Sequence, residues 1–177
     1  VYDELGRIIE AGQKNENTSG LKFKNIFGLV VENYFNPRVI DDTDLLNWRN
    51  GSSGQRTQVT HSYYDISTTF ASLPVDFEQK NLRKRVSSIT YEEIRDGNSS
   101  TYLHGTHYTY DIHRNVTALI QDFLEIGAID SDQRHKRMDY NYDLISGNVK
   151  QVSYQSGKLD QWYHRYLYDA DNRILDV

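Results

Sequence analysis

The dipeptide Tyr-Asp occurs five times in this 177-residue chain, at Tyr2-Asp3, Tyr64-Asp65, Tyr110-Asp111, Tyr142-Asp143 and Tyr168-Asp169. In the last three a second tyrosine stands two residues earlier, at Tyr108, Tyr140 and Tyr166. The sequence after four of the five also recurs: Gly6-Arg7-Ile8, Arg114-Asn115-Val116, Gly147-Asn148-Val149 and Asn172-Arg173-Ile174. A repeat of this kind constrains the fold more than any single motif, because every copy must adopt one supersecondary unit that stacks on its neighbours.

The unit reads Y-x-Y-D, a short polar turn, then a strand led by an apolar residue. Alternate residues of a strand share a face, so Tyr108 with Tyr110, Tyr140 with Tyr142 and Tyr166 with Tyr168 make an aromatic stripe. The Asp accepts hydrogen bonds from backbone N–H groups just beyond it, and a Gly or Asn that tolerates positive φ lets the chain reverse. Past the turn, Val116, Ala118 and Ile120 alternate strictly, whereas Val149, Val152 and Tyr154 carry one slip that reads as a bulge. Each repeat is therefore predicted to be a β-hairpin.

Successive Tyr-Asp pairs are 62, 46, 32 and 26 residues apart, so the array is regular toward the C-terminus and interrupted toward the N-terminus. The expected organisation is a single segment: 1–13 a first repeat, 14–57 an insert or degenerate repeat, 58–95 a degenerate repeat, 96–136 a repeat with a loop, and 137–177 two regular repeats. Residues 14–20 and 49–58 are polar and turn-rich, which predicts loops. Leu29–Val31, Val59–Tyr63 and Val86–Ile94 read as further strands, the last with one polar face. A single helical turn fits Asp42–Trp48, and a short helix or irregular excursion fits Gln121–Asp130.

Composition sharpens this to an all-β expectation. Only 37% of residues are apolar, mean hydropathy is −0.73, and fourteen Tyr outnumber six Phe and two Trp, so amphipathic aromatics must do much of the packing. A net charge of −5 with basic residues only in short runs argues against nucleic acid as a partner. The longest apolar stretch, Ile26–Val31, is far below the roughly 18 residues of a membrane span. With no Cys, disulfides, thiolate metal sites and a cysteine nucleophile are excluded. The chain opens on Val1 inside a patterned segment, which reads as cut from something longer.

Several clusters carry the residue types of a chemical site. His104, His107, Asp111 and His113 include metal-ligating groups, and on a strand His107, Asp111 and His113 would share a face. Asp111 is also the repeat Asp, and the plainer reading is a hairpin with exposed or stacking His. The acidic runs at Asp41-Asp42-Thr43-Asp44, Asp130-Ser131-Asp132 and Asp169-Ala170-Asp171-Asn172 lack the Gly and distal Glu of a calcium loop and read as solvated turns. Glu92 and Glu93 are adjacent and face opposite sides of a strand, so they form no glycosidase pair by themselves. Arg83-Lys84-Arg85 and Arg134-His135-Lys136-Arg137 each precede a strand and read as charge that discourages pairing at a sheet edge. Gly51-Ser52-Ser53-Gly54 lacks the setting of a nucleophile elbow. The Asn-x-Ser/Thr sequences at Asn17, Asn50, Asn98 and Asn115 read as coincidence in an Asn- and Ser-rich chain. No cofactor is called for.

The stretches Tyr140-Asn141-Tyr142-Asp143-Leu144-Ile145-Ser146-Gly147-Asn148-Val149 and His164-Arg165-Tyr166-Leu167-Tyr168-Asp169-Ala170-Asp171-Asn172-Arg173-Ile174 resemble two consecutive members of a bacterial Rhs, or YD-repeat, array. The resemblance covers 101–177 and 1–13 well, 58–95 loosely, and not 14–57. It implies antiparallel hairpins joined into a curved sheet, an arc of the spiral β-shell shared with insecticidal toxin-complex shells and animal teneurins. It further implies a structural, non-catalytic role in a large secreted or surface bacterial protein that encloses a toxic polypeptide. The partners would be the remainder of that polypeptide or adjacent chains at the sheet edges, the enclosed toxin and a secretion machinery. The structural residues carried over are Tyr2, Asp3, Gly6, Arg7, Tyr64, Asp65, Tyr108, Tyr110, Asp111, Asn115, Tyr140, Tyr142, Asp143, Gly147, Asn148, Tyr166, Tyr168, Asp169, Asn172 and Arg173. The self-cleaving DPxG motif of the family's core does not occur, the only prolines being Pro37 and Pro74. A second reading is a binding module that meets a glycan, receptor or secretion component through the sheet's outer face or the 14–57 insert.

Overall fold

The computed structural model describes residues 2–15, 23–24, 30–31, 55–69, 73–95 and 102–177. The strands are β1 (Glu10–Asn15), β2 (Phe23–Lys24), β3 (Val30–Val31), β4 (Gln55–Tyr64), β5 (Val86–Arg95), β6 (His104–Tyr110), β7 (Val116–Phe123), β8 (His135–Tyr142), β9 (Val149–Tyr154), β10 (Trp162–Arg165), β11 (Leu167–Tyr168) and β12 (Ile174–Asp176). Eight of them form one antiparallel sheet in the order β1-β4-β5-β6-β7-β8-β9-β10, open at both ends, while β11 pairs with β12 and β2 with β3. The chain is all-β in architecture, and from β4 onward sequence neighbours are sheet neighbours, as hairpin repeats require. Among the described residues no helix is long and apolar enough to cross a membrane.

One face of the sheet is covered by the connection between β4 and β5. Phe77 from this connection packs on Ala118 and Ile120 of β7, with Leu73 beside it. Polar bonds fix the rest: Gln79 Nε2 donates to the Ser87 and Tyr108 carbonyls at 2.6 and 3.2 Å, and the Lys80 N–H donates to Thr109 Oγ1 at 2.9 Å. An irregular loop laid on a sheet brings unpaired backbone groups with it, so the covered face must supply polar partners. Thr109 does this for Lys80 and Ser88 bonds the Thr68 hydroxyl, and the core also contains Thr90, Glu92, His107 and Asp122 beside Val59, Ala118 and Ile120. The polar face expected for β5 is thus the buried one, and Ile89 and Tyr91 point the other way into partial exposure.

On the opposite face the register lines up Tyr108, Leu119, Met138, Tyr154 and Trp162 across β6 to β10. Tyr154 and Trp162 stack with ring centroids 5.4 Å apart, and Tyr91 stacks on His104 at 4.9 Å. Cross-strand aromatic pairs of this kind contribute about 0.2–1 kcal/mol each.

Several expectations need correcting. Lys14, Asn15 and residues 55–58 are strand, not loop: Lys14 pairs with Arg56 and Asn15 with Gln55, because ladder bonds use the backbone and need no apolar side chain. Within Gln121–Asp130 the first three residues complete β7, and only α1 (Leu124–Ile129) is helical, followed by a 3₁₀ turn at Ser131–Gln133. Neither basic run lies at a sheet edge. Arg83-Lys84-Arg85 leads into β5 and Arg134–Arg137 into β8, both flanked on two sides, so the charges serve other contacts. The turn expected at Asp42–Trp48, Asp41-Asp42, Gly51–Gly54 and the sequences at Asn17, Asn50 and Asn98 lie outside the described residues.

Candidate functional site

The repeat residues converge on one local structure, built five times. In each copy the Asp N–H donates to the carbonyl that closes the turn: Asp3 to Arg7, Asp65 to Arg85, Asp111 to Asn115, Asp143 to Asn148 and Asp169 to Arg173, at 2.7–3.1 Å. The residue before that carbonyl is left-handed every time: Gly6 (φ 74°), Lys84 (60°), Arg114 (85°), Gly147 (74°) and Asn172 (60°). Gly and Asn enter this region at little cost and a long side chain does not. The expected positive-φ role thus falls on Arg114 in the third repeat, one residue before Asn115.

The Asp carboxylate fills the inside of the turn. Asp3 Oδ1 accepts from the Leu5 and Arg7 N–H groups at 2.9 Å, and Asp169 Oδ1 accepts from Asp171 and Arg173 at 2.9 Å. Asp111 accepts from the Asn115 N–H and side chain at 2.8 and 2.9 Å, and Asp143 Oδ1 accepts from Ile145 and Ser146 at 2.9 and 2.8 Å. The Arg7 N–H bond holds Asp3 below the usual carboxylate range, and the Arg173 N–H bond does the same for Asp169. At Asp143 the Lys150 ammonium, 2.8 Å away, is the largest cause of a lowered pKa, followed by the Ser146 and Ile145 N–H groups. Burial pushes Asp111 upward, and the bonds from Asn115 outweigh it.

The second tyrosine of each repeat links one hairpin to the one before. Tyr64 Oη donates to the Ile8 carbonyl at 3.0 Å, Tyr110 to Val86 at 2.8 Å, Tyr142 to Val116 at 2.9 Å and Tyr168 to Val149 at 2.9 Å. In every copy the accepting residue is the apolar one just past the preceding turn. The reason lies in the register. Between hairpins the ladders reach Glu10↔His61, Ser88↔His107, Ala118↔Asp139 and Gln151↔Arg165, always two residues beyond the acceptor and three before the tyrosine. The acceptor carbonyl therefore lies past the last ladder pair, and the hydroxyl takes the place of the missing N–H.

A bulge completes the unit. Between Tyr63 and Tyr64, Thr109 and Tyr110, Asn141 and Tyr142, and Leu167 and Tyr168 the register shifts by one, leaving Ser87, Thr117, Lys150 and Leu175 as the extra residues on the returning strand. The slip legible at Val149–Val152 is one of four. The bulge after Val116 is hidden by a sequence that alternates through it. Tyr2 makes an isolated bridge to Ile8, the same pair in the first turn.

The metal candidates are not brought together. His107 is fully buried in β6 with Nδ1 2.8 Å from Ser88 Oγ, Asp111 is engaged in its turn, and His113 is exposed with Nδ1 4.0 Å from Asp111. β6 ends at Tyr110 and residues 111–115 form the repeat turn, so the strand alternation that would have aligned the three does not extend to Asp111 and His113. Among the described residues no group of three or more His, Asp or Glu could hold a metal ion. The plainer reading, exposed or stacking His, describes His104, which stacks on Tyr91 and lies tilted beside Phe123, and the exposed His113, but not the buried His107.

A second polar cluster, with no sign in the local sequence, lies on the covered face. Asp122 has no exposed surface and accepts from Arg134 Nε and Nη2 at 2.7 and 3.0 Å and from Tyr102 Oη at 2.5 Å. Burial alone would raise its pKa, and the Arg134 bonds reverse that. Next to it, burial lowers the His107 imidazole to about 4, and the Ser88 hydroxyl also bonds Thr68 Oγ1. Ser88, His107 and Asp122 have the types of a nucleophilic triad, yet all three are buried and the Asp122 carboxylate is occupied by Arg134 and Tyr102. Gly105 seals the cluster: a Cβ there would lie 3.1 Å from His107 Nε2 and 3.2 Å from the Tyr102 ring.

Fold and site together define an open antiparallel sheet of Asp-filled hairpin turns, each tied to the preceding hairpin by one tyrosine hydroxyl. Comparison with protein-family models, with curated proteins and with solved structures finds no match.

Proposed function

We propose that the chain is a non-catalytic structural segment of a YD-repeat protein of the Rhs type, a stretch of β-sheet wall in a large secreted or surface bacterial shell that encloses a polypeptide cargo. The observation that carries this reading is the tyrosine-to-carbonyl link, present at four successive hairpin junctions with one register. A device that joins each hairpin to its predecessor suits propagation of a sheet, since the same geometry accepts another unit at either end. Its residues are spent on internal bonds: the Asp carboxylates on turn N–H groups, the Tyr hydroxyls on carbonyls. Both ends of the sheet offer strands for further pairing, and β10 is exposed along its length.

The test is protease protection of the protein as isolated from its source. Containment predicts a co-purifying or contiguous polypeptide that resists protease until the sheet is unfolded by denaturant, and then is degraded. A preparation holding no such polypeptide, or one cleaved while the sheet remains folded, would overturn the reading.

A further inference from the structure

The run Arg83-Lys84-Arg85 is brought by the fold against Arg114 of the next repeat turn. Together with Asn81 and Tyr110 these residues line an open cleft of about 660 Å³ at the turn end of β5 and β6. Among the described residues, Arg83, Lys84 and Arg114 make no ion pair through their side chains. Arg85 donates only to carbonyls, of Asn81 at 2.6 Å and Asp111 at 3.3 Å, and lies over the Tyr110 ring at 5.2 Å. The nearby carboxylates are already engaged: Asp65 by Arg7 at 2.8 Å and by the Lys84 N–H, Asp111 by Asn115. Four cations thus face one cleft in a chain whose net charge is −5.

The backbone supplies an independent sign. The left-handed position of the repeat turn is Gly, Gly and Asn in the first, fourth and fifth copies, and Lys84 (φ 60°) and Arg114 (φ 85°) in the two copies that flank the cleft. Strained backbone of this kind persists where the side chain has a use. Here both departures from the repeat place a cation in the same cleft.

We propose that this cleft is a binding site for a compact polyanion, a small molecule carrying two or more phosphate or carboxylate groups. The guanidinium fork of an arginine matches either oxyanion bidentately, and several such donors in one cleft favour a ligand with several anionic groups. The volume fits a small molecule, and the acidic remainder of the chain disfavours an extended polyanion such as nucleic acid.

Titration calorimetry of the chain at low ionic strength, with pyrophosphate and citrate as probes, tests this. One-to-one binding of either probe is expected, and which binds more tightly tells a phosphate ligand from a carboxylate one. In a Lys84→Gly, Arg114→Gly double variant, affinity should fall at least about tenfold, the worth of one charge-assisted contact. Its melting temperature should rise, because glycine relieves both left-handed positions. Arg83→Ala, at an exposed residue with no structural bond, should weaken binding without changing the melting temperature. Failure of both probes to bind the wild-type chain at millimolar concentration, or equal affinity in all variants, would overturn the proposal.

Discussion

Replacing Tyr142 with Phe removes one oxygen and leaves the ring, so it isolates the link between hairpins. The lost bond, Tyr142 Oη to the Val116 carbonyl at 2.9 Å, is half-buried and has no ladder N–H to replace it. A net intramolecular hydrogen bond contributes about 0.5–1.5 kcal/mol, and a carbonyl left partly buried without a partner lies at the upper end of that range. For a chain of this size that is a fall of about 2–4 °C in melting temperature per kcal/mol. Tyr110→Phe and Tyr168→Phe should cost the same, and because the junctions are separate the losses should add to within about 0.5 kcal/mol. The first tyrosine of the motif is the internal control. Tyr140 Oη meets only the Met138 sulfur at 3.7 Å, a weak acceptor, so Tyr140→Phe should change stability by less than about 0.5 kcal/mol. Urea denaturation followed by tyrosine fluorescence measures all four. Equal effects at Tyr140 and Tyr142, or no effect at either, would refute the argument from the register.

Other substitutions probe the covered face. Gly105→Ala forces a Cβ against His107, Tyr102 and Thr90, and should destabilise by about 1–3 kcal/mol in the same denaturation assay. Asp122→Ala leaves Arg134 and Tyr102 facing a buried gap and should cost roughly 3 kcal/mol or more; a smaller loss than Gly105→Ala would count against the cluster as a structural tie. Acid should cost stability in two pH windows. The buried His107 titrates near 4 when folded and near 6.5 when unfolded, so its contribution is complete above pH 6.5 and falls by about 3 kcal/mol as the pH drops to 4. The turn carboxylates Asp3, Asp111, Asp143 and Asp169 have lowered folded pKa values, so theirs is complete above the unfolded value of 3.8 and is lost below it. In His107→Gln the slope of stability between pH 4 and 6.5 should flatten, while the loss below 3.8 remains; an unchanged slope would contradict the assignment.

The hairpins were legible because their determinants are local: an Asp and the N–H groups it accepts lie within five residues in four of the five turns. The second turn was not, since the loop between Asp65 and its closing carbonyl on Arg85 carries no signal that Lys84 plays the part of Gly6. The tyrosine link joins residues 19 to 56 positions apart, and nothing around Val116 marks its carbonyl as an acceptor for Tyr142. The covered face was hidden for a related reason. Ser88, His107, Asp122 and Arg134 come from four segments, and only the register of β5, β6 and β7 shows that they meet. The metal reading at His107 and His113 failed because β6 ends at Tyr110: Asp111 is bonded into the turn, and His113 lies in that turn, beyond the strand's alternation.

The most direct test of the central claim is electron cryo-microscopy of the protein as isolated from its source. Both β1 and the β10–β12 end are expected to continue into further hairpins, with a tyrosine hydroxyl on the preceding hairpin's carbonyl at every junction and density for a polypeptide inside the curved sheet. A map in which the sheet ends at these strands in solvent, or in which the junction tyrosines turn away from the carbonyls, would contradict it.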